Sequence, residues 1–328
     1  MQIGSRQHVI PEIEYVLLVE TLVSVSTVIS TYTTKRLHDV VRCISSLKRQ
    51  TLPPAEIILV LDPRKELVEF YKSHVPSEVR MIVSNDVGLS HARNIGVKNA
   101  KGEIVAFIDD DATANEKWLE NLVKNYADPL VLGVGGLIKP IWESKRPSWF
   151  PEELDWIVGC SYKGLPENKA IIRNLIGCNM SFRKIVFEKA GYFSTDIGRV
   201  GSKLAAHEDT EFSIRMTERF PGHKVLYDPT AIVHHRVPKS RANLKYVARR
   251  SFAEGVSKAN FSCRKSNLAS VLYVENEYLR HLLLASIPKR LIRGYKLENI
   301  FQTFTILMST WLVLIGYLQG KKRVSRSL

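Results

Sequence analysis

The sequence predicts an α/β protein built on a mostly parallel, doubly wound sheet, with a basic helical region after it. Three observations carry that expectation. Short β-branched runs alternate with amphipathic helical segments between Val23 and Asp111, as β-α-β crossovers require. The run Ile104-Val105-Ala106-Phe107-Ile108 carries no charge, reads as a strand buried on both faces, and stops abruptly at Asp109-Asp110-Asp111. The charge is also unevenly spread. The whole net +14 of the 328-residue chain lies from Arg236 onward, where 18 Lys and Arg meet 4 Asp and Glu.

The elements follow in order. Residues 1–22 mix charged and apolar residues and lack the uninterrupted apolar core of a signal peptide. Val23 to Tyr32 reads as the first strand, and Leu37 to Arg49 as a helix with Leu37, Val40, Val41, Ile44 and Leu47 on one face, ended by Pro53-Pro54. A strand from Glu56 to Leu61 runs into Asp62-Pro63, a helix covers Lys65 to Ser73, and Val79 to Val83 reads as an edge strand. Ser90 is expected to cap a helix ending at Lys101-Gly102, with Gly102 in the left-handed conformation. The strand leading to the three aspartates closes this half.

In the second half, Leu130 to Ile138 contains Gly133, Gly135 and Gly136 and reads as a strand that another backbone approaches closely. Trp142 to Lys169 is irregular and aromatic, which suits either a satellite core under a long loop or a surface that faces a ligand. A strand from Asn174 to Phe182, a helix from near Arg183 to Gly191, and a helix opening at His207-Glu208-Asp209 follow. Val225 to Tyr227 and Ala231 to His235 read as paired strand segments. Leu244 to Ala259 and Leu268 to Ile287 read as basic amphipathic helices. Ile300 to Leu318 is 19 residues without a charge, and as a helix it spans about 28 Å, close to a bilayer's hydrocarbon core. Lys289, Arg290, Arg293 and Lys296 before it and Lys321, Lys322, Arg323 and Arg326 after it set no orientation. The expected organisation is an extension (1–22), an α/β domain (23–236) divided at 111/112, basic helices (237–299), a membrane-spanning or membrane-embedded helix (300–319) and a basic tail (320–328).

Cys43, Cys160, Cys178 and Cys263 lie far apart without a Cys-x-x-Cys pair, which argues against a zinc site or a disulfide framework and fits a reducing compartment. Three adjacent carboxylates at a strand end repel one another, so they point to a divalent cation facing a polyphosphate, or to a solvated acidic turn capping the next helix. The basic C-terminal region suits an anionic membrane or nucleic acid; the apolar stretch within it favours the membrane, and no nucleic-acid motif appears.

The run Gly88-Leu89-Ser90-His91-Ala92-Arg93-Asn94, followed by Gly102 to Asp111 and Trp118-Leu119, resembles the donor half of the family 2 glycosyltransferases with the GT-A fold, a Rossmann-like architecture. Gly177-Cys178-Asn179-Met180-Ser181-Phe182 resembles that family's acceptor-side strand, and Glu208-Asp209 its Glu-Asp motif. The resemblance spans Val23 to Arg236. It implies that Ser30, Tyr32 and Asp62 hold the nucleoside of a nucleotide sugar, expected to be a UDP-sugar. Arg93 and Asn94 would lie against the nucleotide, Arg93 on phosphate or in an internal ion pair. Asp109 and Asp110 would contact the donor. Asp109 and Asp111, with either His234 or His235, would hold Mg²⁺ or Mn²⁺. Asn179 and Glu208 would face the acceptor, and Asp209 would be the general base of an inverting transfer. Asp62-Pro63-Arg64 departs from the polar turn commoner in the family, which leaves the base open.

The layout after residue 236 is similar to lipid-linked sugar transferases using polyprenyl or dolichyl phosphate carriers in N-glycan or surface polysaccharide assembly. A lipid-linked or glycan acceptor is therefore expected, with the catalytic domain on the cytoplasmic side of the cell membrane. Two rivals are weaker. A nucleotidyltransferase needs a phosphate-cradling loop after the first strand, to which Ser30 to Thr34 with Lys35-Arg36 comes only part way. A basic membrane or nucleic-acid-binding scaffold leaves the aspartates and Glu208-Asp209 without a purpose.

Overall fold

A computed structural model describes residues 23–197, 207–262, 268–292 and 296–327; the extension 1–22 and Cys263 lie outside them. The described strands are β1 (Val25–Thr31), β2 (Glu56–Leu61), β3 (Arg80–Val83), β4 (Ile104–Asp109), β5 (Ala112–Ala114), β6 (Val131–Trp142), β7 (Ala170–Ile171), β8 (Asn179–Arg183) and β9 (Lys224–Val237). They form one sheet in the order β3-β2-β1-β4-β8-β6-β9-β5, with β7 also on β9. The first four are parallel, and β6 and β9 run the same way, while β8, β5 and β7 run opposite. The sheet is thus mostly parallel, as expected, with β8 inserted as a reversed strand in its middle.

Helices α1 (Leu37–Lys48) and α2 (Lys65–Lys72) cover one face and α3 (Leu89–Asn99) the other. Val40, Ile44 and Leu47 of α1 join Ile29, Leu59 and Ile108 in one core, whereas Ala92 and Val97 of α3 join Val28, Val105 and Phe107 in a second. Strand residues of alternate parity thus serve opposite layers. Helices α4 (Trp118–Val123), α5 (Ile185–Ala190) and α6 (Glu208–Arg219) complete the domain. Phe187 of α5 and Phe212 of α6 stack at 4.7 Å, and both meet Phe182 of β8 edge-on.

Several local expectations are corrected. Ser90 is not a cap: α3 begins at Leu89 behind Gly88, whose φ of 129° is open to glycine. Gly102 is not in the left-handed region either. It sits where a Cβ would come within 2.6 Å of the Ser26 nitrogen, so close passage of β1 is what excludes a side chain there. The two segments from Val225 to His235 are not paired with each other. They form the single strand β9, in parallel register with β6 and bulged opposite the Gly136–Leu137 step. Within the aromatic stretch, Phe150, Leu154 and Ile157 are core residues with Trp142, Trp149 and Trp156 packed against them, so core is the reading that holds there.

The C-terminal layer consists of α7 (Leu244–Ser262), α8 (Leu268–His281), a π-helical turn over Leu282–Ser286, α9 (Ile287–Ile292) and α10 (Leu297–Ser327). The expected single helix from Leu268 to Ile287 is interrupted because Pro288 has no N–H for the carbonyl four residues back. The apolar stretch Ile300 to Leu318 lies within α10, which packs along α7.

Candidate active site

β1 and β4 end side by side, with Ser30 paired to Asp109. Beyond their carboxyl ends lies a cleft lined by Ser30, Tyr32, Arg36, Asp62, Asp109 and Asp110 among others. Five of the residues expected on the donor side share this cleft. Arg36 is the one that sequence reasoning missed: it was visible only as the end of a weakly basic Lys35-Arg36 pair. Its guanidinium forks across the triplet, 2.5 Å from Asp110 Oδ1 and 3.1 Å from Asp111 Oδ2, and lies 5.4 Å from the centre of the Tyr32 ring.

The three aspartates differ electrostatically because the chain turns at the strand end. Asp109 is half-buried, while Asp110 and Asp111 are buried. Burial pushes Asp110 up to about 7, Arg36 opposing it only in part. Burial acts the same way on Asp111, but His235 and Arg36 outweigh it and hold that carboxyl well below the usual range. Burial also disfavours charge on His235, yet Asp111 lifts its imidazole to about 10. His235 Nε2 lies 3.2 Å from Asp111 Oδ1, because β5 sets Ala112 opposite His235 on β9.

A divalent cation fits this group. Asp109, Cys178 and His235 offer ligand atoms within 4.8 Å of one another, and Asp110 Oδ2 is buried without a hydrogen-bond partner. Burial pushes the Cys178 thiol well up, which disfavours it as a ligand to a hard cation and leaves Asp109 and, once its proton is lost, His235, with Asp111 3.2 Å from the latter. His234 is outside the cluster. The strand's period of two turns it to the other face, where it lines a second hollow with Asp39, Arg42, Asp111 and Arg236.

Four other expected site residues are engaged elsewhere. Arg93 is buried, 2.9 Å from Glu208 and 3.5 Å from Asp109, in the internal ion pair that was one of its two expected roles. Glu208, its partner, is buried. Asn94 holds Phe193 with both ends of its amide: Nδ2 donates to the carbonyl at 2.8 Å and Oδ1 accepts from the N–H at 2.9 Å. Asn179 is a clasp across the sheet, donating to the carbonyls of Leu137 and Ala231 and accepting from Trp118 Nε1. Buried amides are satisfied internally where water cannot reach them, which the sequence pattern does not reveal.

Asp209 stands half-buried in the first turn of α6. Its Oδ2 accepts the Gly177 N–H at 2.9 Å and its Oδ1 the Thr210 N–H at 2.7 Å. A Cβ on Gly177 would lie 2.5 Å from Arg93 Nη2, so glycine lets this loop close over the ion pair. The chain Asp109–Arg93–Glu208 thereby ties the helix that carries Asp209 to the strand end. At the entry to α6, His207 has φ 87°, rare for a residue with a side chain, and its Nε2 lies 3.1 Å from Glu254 of α7.

Comparison with known proteins agrees with this geometry. Residues 26–191 match the family model for glycosyl transferase family 2. The chain is 32% identical over 308 residues to a glucosyl-dolichyl phosphate glucuronosyltransferase of Haloferax volcanii, covering 90% of this chain and 96% of that protein. It is 27% identical over 205 residues to the succinoglycan biosynthesis protein ExoM of Rhizobium meliloti, 62% of each. The mannosyltransferase PcManGT of Pyrobaculum calidifontis, solved with GDP-Man and Mn²⁺, superposes with a TM-score of 0.59 at 18% identity, over 90% of this chain and 87% of that one. That likeness shows the fold.

Proposed function

The chain belongs to glycosyl transferase family 2, and we propose that it catalyses an inverting transfer from a nucleotide sugar, a UDP-sugar, to a hydroxyl of a polyprenyl- or dolichyl-phosphate-linked acceptor. One observation carries the chemistry. Ser30, Tyr32, Asp62 and the acidic triplet meet at one cleft, and the helix bearing Asp209 is tied to that cleft through Glu208 and Arg93. The Haloferax relative, named for a glucosyl-dolichyl phosphate, supports a lipid-linked acceptor. The basic, apolar C-terminal layer supports a place at the cell membrane, with the catalytic domain on its cytoplasmic side in this reading.

In this reading Ser30, Tyr32 and Asp62 seat the nucleoside, and Arg36 keeps Asp110 and Asp111 from repelling each other. Asp109, Asp111 and His235 would hold Mg²⁺ or Mn²⁺, which when bound offsets the charge developing on the diphosphate leaving group. Asp209 takes the acceptor's proton as its oxygen attacks the anomeric carbon from the face opposite the leaving group. The Gly177 and Thr210 N–H groups fix the orientation of that carboxylate; Oδ1 also accepts the Thr210 hydroxyl at 3.3 Å, so Oδ2 is the oxygen that retains a lone pair for the proton. The positive end of the α6 dipole suits an anionic proton acceptor.

The test is a thermal-shift screen of UDP-, GDP-, dTDP- and CMP-sugars, with and without Mn²⁺, on the wild type and Asp209→Asn, followed by turnover. One nucleotide should raise Tm equally in both proteins when Mn²⁺ is present, while Asp209→Asn loses roughly 10²–10⁴-fold in kcat. Normal turnover by Asp209→Asn overturns the base assignment. No shift with any nucleotide, from folded protein, overturns the donor assignment.

A further inference from the structure

Helix α10 is long and apolar enough to cross a bilayer, but its surroundings are those of a helix held against a domain. One side is bonded to protein along its length. Gln302 donates to the Ser148 carbonyl at 2.8 Å, Ile306 is fully buried in the catalytic core, and Ser309 shares a hydrogen bond with Ser251 of α7 at 2.8 Å. Further along, Tyr317 meets Ser262 at 3.3 Å. The two helices touch backbone to backbone. A Cβ on Gly255 would lie 2.0 Å from the Val313 carbonyl oxygen, and one on Gly316 2.2 Å from that of Phe252.

A crossing by α10 would therefore carry α7 into the hydrocarbon, and α7 is unsuited to it. It bears Arg249, Arg250, Glu254 and Lys258, and Val247 anchors it in the catalytic core. Glu254 is paired with Arg250 and Lys258 and touches His207 beside the base-bearing helix.

The other side of α10 is a single stripe. Ile300, Phe304, Leu307, Trp311, Leu314 and Leu318 recur at spacings of four and three, all are exposed, and Phe304 and Trp311 are 58% and 62% accessible. In the turns just before α10, Leu284 and Ile292 are 78% and 83% accessible. Exposed Lys289 and Lys296 stand before the stripe, and Lys322 and Arg323 beyond it. An apolar stripe with cations at both ends matches an anionic leaflet, whose acyl boundary takes the one and whose headgroups take the other.

We propose that α10 does not span the bilayer but lies along it, seating this stripe in the boundary between headgroups and acyl chains of an anionic leaflet. The catalytic domain then docks by one face, with both ends of α10 on the same side as the active site. This rests on the membrane reading above and specifies its mode.

The test places single cysteines at the two ends, Glu298→Cys and Lys322→Cys, in full-length protein carrying Cys263→Ser, and treats sealed inside-out vesicles from expressing cells with an impermeant maleimide. Labelling of both positions is expected. Labelling of one position alone means that α10 crosses, and overturns the proposal. In parallel, the wild type should float with vesicles of phosphatidylcholine and phosphatidylglycerol, and Phe304→Glu/Trp311→Glu should stay behind. That variant should keep its Tm and its Mn²⁺-dependent donor shift, so failure of the docking face is distinguished from failure of the donor site. Flotation unaffected by the double substitution overturns the proposal. So does a wild type that ignores vesicles but forms a dimer which the variant dissolves, since a second copy would then cover the stripe.

Discussion

The two acidic ends of the active site are held by different parts of the molecule. Asp111 is fixed from within the catalytic sheet and its nearest turn, by His235 on β9 and by Arg36 just ahead of α1. Asp209 rides on a helix whose entry residue, His207, takes a left-handed backbone conformation beside Glu254 in the C-terminal layer. In the proposed mechanism the donor end is thus self-contained, while the end that carries Asp209 leans on helices that also carry the apolar stripe. A non-glycine residue in the left-handed region costs on the order of 1–3 kcal/mol and persists only when its surroundings hold it there. Here the surroundings belong to α7.

The largest effect should come from breaking the self-contained end. Asp111→Asn removes the charge facing His235 and Arg36 with little change of shape, and should abolish the Mn²⁺-dependent donor shift and lower turnover by roughly 10²–10³-fold. Calorimetry with the cognate nucleotide checks this. A persisting metal-dependent shift would place the cation elsewhere.

A smaller effect, confined to the other end, is expected from Glu254→Gln. It leaves Arg250 and Lys258 without their shared carboxylate and loosens His207, so kcat should fall roughly 10- to 10²-fold through misplacement of Asp209. Donor affinity should stay the same, and Glu254→Asp should recover part of the rate. If donor affinity falls along with kcat, the two ends are not separate.

The smallest effect is on stability in acid. Burial alone would raise Glu275 of α8, but Lys258 and Arg173 outweigh it and hold its carboxyl at about 2. A depressed folded-state pKa contributes stability above the ordinary carboxylate value, and that contribution is lost as pH falls toward 2. Denaturation midpoints should therefore drop between about pH 4.5 and 2, and Glu275→Gln should flatten that limb while changing turnover little near neutrality. An unchanged acid limb would mean that the layer is not held by this pair.

Much of this was legible in the sequence, and the failures share a cause. Alternating strand and helix periods, the uncharged run ending in three aspartates, and the uncharged stretch from Ile300 to Leu318 are local patterns. Local patterns determine which segments are strands or helices and where a strand ends. They also determined that His234 and His235 face opposite ways, since neighbours on a strand must, without saying which one faces inward. Tertiary structure decided that, by laying β5 against β9. It also brought Arg36 to Asp110 across 74 positions and Arg93 to Glu208 across 115. It set Asn94 and Asn179 to holding the fold together, and it turned one side of α10 to α7 while leaving the other bare. Which partner a buried charge or amide meets depends on the order of strands in the sheet and the packing of layers over it, and no spacing along the chain encodes either.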